Sequence, residues 1–125
     1  MNKKRVFVSF DFDNDKALKE FVIGQARNPD SPFEVVDCSL KEAAPQKNWE
    51  EKARRAIKGA DIVLVMVGPS TYRASGVLRE VEMAREENVK VVQVIGYKGM
   101  KRYTPVPEAG ELYRWTWENM KKLLL

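Results

Sequence analysis

The fold is written most plainly in Asp61-Ile62-Val63-Leu64-Val65-Met66-Val67. After one acid the run is wholly apolar, and Ile62, Val63, Val65 and Val67 are β-branched. A strand with one wet face alternates apolar and polar residues. An unbroken apolar run of strand length is what a parallel strand needs when helices cover both its faces. Gly59 ahead of it marks the end of a helix, and Gly68-Pro69 behind it opens an exit loop. The run therefore reads as the central strand of an α/β domain.

Residues 5–10 (RVFVSF) alternate and are rich in β-branched and aromatic side chains, which predicts strand one. Asp15 can cap a helix running to about Arg27, with Leu18, Phe21, Val22 and Gln25 at helical spacing. Asn28-Pro29-Asp30-Ser31-Pro32 ends it, and residues 33–37 (FEVVD) form a short second strand. Residues 39–46 read as a loop. A second helix follows Lys47 or Asn48, with Trp49, Ala53, Ala56, Ile57 and Ala60 on one face. Beyond the central strand, Gly68-Pro69-Ser70-Thr71-Tyr72 is the exit loop, and a helix over Ser75-Gly76-Val77 runs to about Asn88. Residues 90–95 (KVVQVI) are strand four, residues 96–110 a long loop, and residues 114–125 a closing helix with Trp115, Met120, Leu123 and Leu124 at near-helical spacing. Strands alternating with helices, joined by right-handed crossovers, predict a flavodoxin-like three-layer α/β sandwich. Its parallel sheet has about four to five strands in the order 2-1-3-4.

The 125 residues suffice for one domain with a real core, 1–125, and not for two. No apolar run approaches the roughly 18 residues of a membrane span. The basic start, Met1 to Arg5, is followed by an apolar stretch that ends at Asp11, which suits a first strand and not a secretory signal. Cys38 is the single cysteine, so an internal disulfide is excluded and a reducing cytoplasm is expected. The chain has no histidine, which removes Ser-His-Asp and Cys-His catalysis, His-containing zinc sites and His phosphorelays. The formal charge of +4 is spread along the chain and reads as a solvated surface, not a nucleic-acid footprint.

Glu80 stands out in the helix after the central strand. At about 100° per residue, Val77, Val81 and Ala84 make an apolar stripe, with Glu80 on its flank beside Met83 and Ala84. Glu82 and Glu86 point the other way. A carboxylate on the protein side of a helix costs desolvation unless something there uses its charge. The plainer readings are an ion pair with Arg73 or Lys98, or a helix-dipole contribution of about 0.3–1 kcal/mol. In a doubly wound sheet ligands bind at the carboxyl ends of the strands near the switch point. Here those ends are Ser9 to Asp13 and Gly68 to Tyr72, with the first turn of the Glu80 helix beside them.

Other chemistries fit poorly. Asp11, Asp13 and Asp15 fail as a calcium loop, because the sixth position lacks Gly and the twelfth is Val22. The Asp-x-Asp of haloacid-dehalogenase phosphatases is followed by Asp15 where Thr or Val belongs. A receiver domain needs an acceptor Asp where this chain reads Val65-Met66-Val67-Gly68. No glycine lies in Ser9-Phe10-Asp11-Phe12-Asp13, so a Rossmann turn is absent, as is a P-loop. Trp49, Met66, Met83 and Trp115 read as core.

Arg5-Val6-Phe7-Val8-Ser9-Phe10-Asp11, Asp37-Cys38-Ser39-Leu40, Val67-Gly68-Pro69-Ser70-Thr71-Tyr72 and Val77-Leu78-Arg79-Glu80-Val81 together resemble the bacterial TIR-like domains, especially those related to the ThsB subunit of Thoeris antiphage systems. Pro105-Val106-Pro107-Glu108-Ala109-Gly110 and Trp115-Thr116-Trp117 are similar to stand-alone members, so the resemblance spans nearly the whole chain. It implies a flavodoxin-like fold and cleavage of the nicotinamide–ribose bond of NAD. ThsB-type members make a cyclic ADP-ribose isomer that activates an effector. It further implies Glu80 as the catalytic carboxylate and Ser9, Phe10, Asp11, Asp37, Ser70 and Tyr72 as the substrate-binding set. NAD enters as substrate, with no metal or other cofactor. Self-association through TIR-like surfaces and an effector reached by a diffusible signal are the implied partners. Gly76 departs from the family, whose members often carry Trp or another large side chain there. Two alternatives stand beside this expectation: a non-catalytic nucleotide-binding or assembly module, and a nucleoside ribosyltransferase-like enzyme.

Overall fold

The run Ile62–Val67 forms strand β3, and all six of its residues are buried, as a strand covered on both faces requires. A computed structural model describes residues 4–11, 16–28, 31, 33–38, 46–96 and 104–124 of the chain. Around β3 lie strand β1 (Lys4–Ser9), helix α1 (Lys16–Ala26), strand β2 (Phe33–Cys38) and helix α2 (Gln46–Lys58). A single 3-10 turn, Thr71–Arg73, leads into helix α3 (Ser75–Glu86), strand β4 (Lys90–Ile95), strand β5 (Leu112–Arg114) and helix α4 (Trp117–Leu124). The sheet has the order β2-β1-β3-β4-β5. Each of its pairings is parallel. This is the flavodoxin-like sandwich that the element order predicts.

Strand alternation sorts the core into two layers. Val6, Val8, Ile62, Leu64, Met66, Val92 and Val94 face one way and pack with Val22 of α1 and Met120 of α4. Phe7, Val63, Val65 and Val67 face the other way and meet Trp49, Ala53 and Ile57 of α2 and Val77, Val81, Met83 and Ala84 of α3. The start of β3 is tied to β1 by a reciprocal pair: the Asp61 N–H donates to the Arg5 carbonyl at 2.8 Å, and the Arg5 N–H donates to the Asp61 carboxylate at 2.8 Å. In β2 the register passes over Val36 between Val35 and Asp37.

Residues 112–114 form a strand, between the loop expected to Gly110 and the helix expected from Arg114; three residues are too few for alternation to show. Helix α4 begins at Trp117 and not at Arg114, because the Thr116 hydroxyl accepts the Asn119 N–H at 3.0 Å as an N-cap. Trp115 is therefore outside that helix and stacks edge-on against Phe21, with ring centroids 5.1 Å apart. Helix α2 starts at Gln46, earlier than the Lys47 or Asn48 boundary, since Gln and Lys are good helix formers. Phe21, at helical spacing with the buried Val22, is itself 40% exposed beside Trp115. The reading of Asp15 as a helix cap lies outside the described residues.

Candidate active site

Helix α3 presents Val77, Glu80, Val81, Met83 and Ala84 to the interior. Glu82 and Glu86 face outward, as their spacing predicts. Glu80 is only 1% exposed. A carboxylate so placed must be met by polar groups, and one of them is clear: the Ser9 hydroxyl donates to Glu80 Oε1 at 2.8 Å. Ser9 is the last residue of β1 and is fully buried. Two positions beyond Phe7, it falls on the sheet face that carries α3, so the alternation of β1 and the phase of α3 bring the two side chains together.

Glu80 is the sixth residue of α3, in its second turn. The dipole effect is concentrated in the first turn, so it does not by itself account for an acid there. The alternative partner Arg73 holds its guanidinium 5.8 Å from the centre of the Tyr72 ring, within cation–π range. Lys98 lies outside the described residues.

The exit loop of β3 is fixed by a local lock. The Gly68 N–H donates to the Thr71 hydroxyl oxygen at 2.7 Å, and Thr71 is fully buried. Ser70 precedes the 3-10 turn, and its carbonyl accepts the Arg73 N–H at 3.2 Å. Tyr72 is half-buried within that turn. Asp11, just beyond β1, is 8% exposed. Ser9, Asp11, Ser70 and Tyr72 thus all belong to the carboxyl ends of the adjacent strands β1 and β3, with Ser9 paired in register to Val65. Phe10 sits elsewhere, in the core layer beneath α1 and α4 on the opposite side of the sheet from α3. Asp37 pairs in backbone register with Phe7 in β2, and its side chain lies outside the described residues.

Two polar residues went unnoticed in the sequence. Thr71 hides in an ordinary-looking loop, Gly68-Pro69-Ser70-Thr71. Gln93 interrupts the apolar run of β4, a signal that a buried partner exists. It is fully buried: its Oε1 accepts the Val106 N–H at 2.8 Å, and its Nε2 donates to the carbonyls of Val106 at 3.2 Å and Gly110 at 2.7 Å.

On the outer surface, Arg79 is held by Glu50 of α2 at 3.2 Å and by Glu82 at 2.8 Å. This pins the turn of α3 that carries Glu80 against the first turns of α2. Among the described residues no cluster of three or more His, Cys, Asp or Glu could hold a metal ion. Among the same residues no helix is long and apolar enough to cross a membrane.

The fold as a whole is similar to the structure of Clostridium botulinum CMP N-glycosidase, BcmB. That likeness has a TM-score of 0.58, covers 96% of this chain and 97% of the other, and comes with 18% sequence identity, so it speaks to shared architecture alone. No curated protein matches the sequence. The family described as Thoeris protein ThsB, TIR-like domain, matches residues 7–98, a span that runs from β1 past the end of β4 and contains both Ser9 and Glu80. The chain belongs to the TIR-like domain family of Thoeris protein ThsB.

Proposed function

We propose that this protein cleaves the N-glycosidic bond between nicotinamide and ribose in NAD, with Glu80 as the carboxylate that acts on the ribose. The observation that carries the reading is the burial of Glu80 at 1% exposure beside the carboxyl ends of β1 and β3, where a doubly wound sheet binds ligands. Family membership supports it.

The chemistry suits a chain without histidine. Most glycosidases need two carboxylates, because the leaving oxygen must be protonated. In NAD the nicotinamide nitrogen is already cationic. When the C1′–N bond breaks, its electron pair returns to the ring, and nicotinamide departs neutral without a general acid. A single carboxylate then stabilises the oxocarbenium-like transition state and orients the ribose hydroxyls. Attack by water at C1′ gives ADP-ribose and releases one proton. Attack by an adenine nitrogen of the same molecule gives a cyclic isomer and also releases one proton. As proposed, either product serves as a diffusible signal to an effector in antiphage defence. Self-association through TIR-like surfaces and a cytoplasmic location belong to the same reading.

A second reading, cleavage or transfer at a free nucleoside or nucleotide, is favoured by the likeness to a CMP N-glycosidase over nearly the whole chain. A pyrimidine base, however, leaves as an anion unless it is protonated, which demands an acid that NAD does not require. The test is to incubate the purified protein and its Glu80→Gln variant with NAD and, separately, with CMP. Nicotinamide release by the wild type and its loss in the variant are expected. Release of cytosine but not nicotinamide would favour the second reading, and equal nicotinamide release by both proteins would remove Glu80 from the mechanism.

A further inference from the structure

We infer that Ser9 is a positioning residue, which fixes the Glu80 carboxylate and does not itself bind substrate; the inference rests on the reading of Glu80 given above. The Ser9 hydroxyl has one proton, and it is committed to Glu80 Oε1 at 2.8 Å. Ser9 and Glu80 are both buried, so it is the commitment of the single hydroxyl proton, and not a difference in exposure, that separates their roles. Its backbone is paired in register with Val65 of β3, at the end of a strand that lies between β2 and β3. Glu80, by contrast, reaches its place through three side-chain torsions from a helix. A hydrogen bond from a fixed strand to a flexible carboxylate removes that freedom before substrate arrives, and preorganisation of this kind acts on the transition state more than on binding. The resemblance implies Ser9 as part of the substrate-binding set; the role inferred for it here is instead exerted through Glu80.

The experiment compares nicotinamide release from NAD by wild type, Ser9→Ala, Ser9→Cys, Glu80→Ala and the double variant Ser9→Ala/Glu80→Ala, each checked for a cooperative thermal transition. Cysteine is somewhat larger than serine and leaves no cavity, but it is a weak donor, so Ser9→Cys beside Ser9→Ala separates the lost hydrogen bond from lost packing. The expected result is a fall in kcat of roughly 10-fold to 100-fold in both Ser9 variants with KM changed by less than about 3-fold. Ser9→Ala should have no further effect once Glu80 is alanine, because a residue acting only through Glu80 has nothing left to position. Wild-type kcat in Ser9→Cys would overturn the inference. So would a rise in KM at constant kcat, or the same loss from Ser9→Ala with and without Glu80. A different pattern sinks the underlying reading instead: a wild type that releases no nicotinamide, or a Glu80→Ala protein as active as the wild type.

Discussion

Ser9 and Glu80 are 71 positions apart in the chain and 2.8 Å apart in the fold, joined by a hydrogen bond that is wholly buried. That contact depends on the whole topology. It needs β1 beside β3 in the sheet, a right-handed crossover that puts α3 on the Phe7 side, and a helix phase that turns Glu80 inward. A shift of one residue would bring Val8 or Phe10 in place of Ser9, or Arg79 or Val81 in place of Glu80, and the pair would be lost. The acid is therefore placed by the elements that build the core, and its position inherits their rigidity.

Shortening that acid tests its placement. Glu80→Asp retains the charge but withdraws the carboxylate by one methylene from a helix that cannot follow it. We expect nicotinamide release to fall by about 10²-fold to 10³-fold, close to the loss in Glu80→Gln, because a misplaced carboxylate stabilises the transition state little better than an absent one. Retention of more than about a tenth of the wild-type rate would mean that charge matters and position does not.

Gln93 joins β4 to the segment that leads into β5. Gln93→Leu fills the same space but leaves the Val106 N–H and the carbonyls of Val106 and Gly110 without their partner. Stranding such groups costs about 2–3 kcal/mol in all. Urea unfolding should show a lower midpoint with an unchanged slope. A stability equal to wild type would show that water replaces the amide at no cost.

How much of this was legible follows from the kind of signal each feature leaves. The burial of β3 is written in its unbroken apolar run, and the inward turn of Glu80 in the spacing of Val77, Val81 and Ala84. Both are periodic patterns that the hydrophobic effect imposes on many residues at once. A fifth strand is allowed for in a sheet of about four to five, but the place of β5 is not legible, because three residues held by pairing to Gln93, Val94 and Ile95 carry no period of their own. Phe10 illustrates a different limit. Its place after β1 suggested a pocket wall, yet its ring is claimed by the layer under α1, a choice decided by tertiary packing. The Ser9–Glu80 bond was invisible as a bond, since nothing local links residues so distant, although both residues were singled out.

Gly110 adopts φ +83, and a Cβ there would lie 3.0 Å from the Val91 carbonyl oxygen. Gly110→Ala meets two penalties together: a left-handed backbone, costing about 1–2 kcal/mol for a residue with a Cβ, and a close contact with a strand that cannot easily yield. The neighbouring pairing of Leu112 with Gln93 should loosen with it. Hydrogen exchange should quicken at Leu112–Arg114 before it quickens in β3. Uniform change across the sheet would contradict this local account.

Arg54 of α2 reaches Glu86 of α3 at 2.9 Å and Glu87 at 3.3 Å. The hydrogen bond from Arg54, aided by its charge and by Arg79, holds the Glu86 carboxyl below its ordinary 4.5, while partial desolvation opposes the shift. A carboxylate whose folded value is depressed adds stability above its unfolded value and loses it as pH falls through the folded one. Replacing Arg54 by Met should therefore lower the denaturation midpoint near neutral pH. The gap between variant and wild type should then close as pH drops below 4.5. Because both side chains are partly in solvent, the gap should also shrink in about 1 M salt, where screening acts over some 3 Å. Arg79, 3.5 Å from Glu86, keeps part of the depression in the variant, so the double replacement of Arg54 and Arg79 should narrow the pH dependence further. A gap that persists unchanged into acid would place the contribution of Arg54 in the packing of its aliphatic stem and not in its charge.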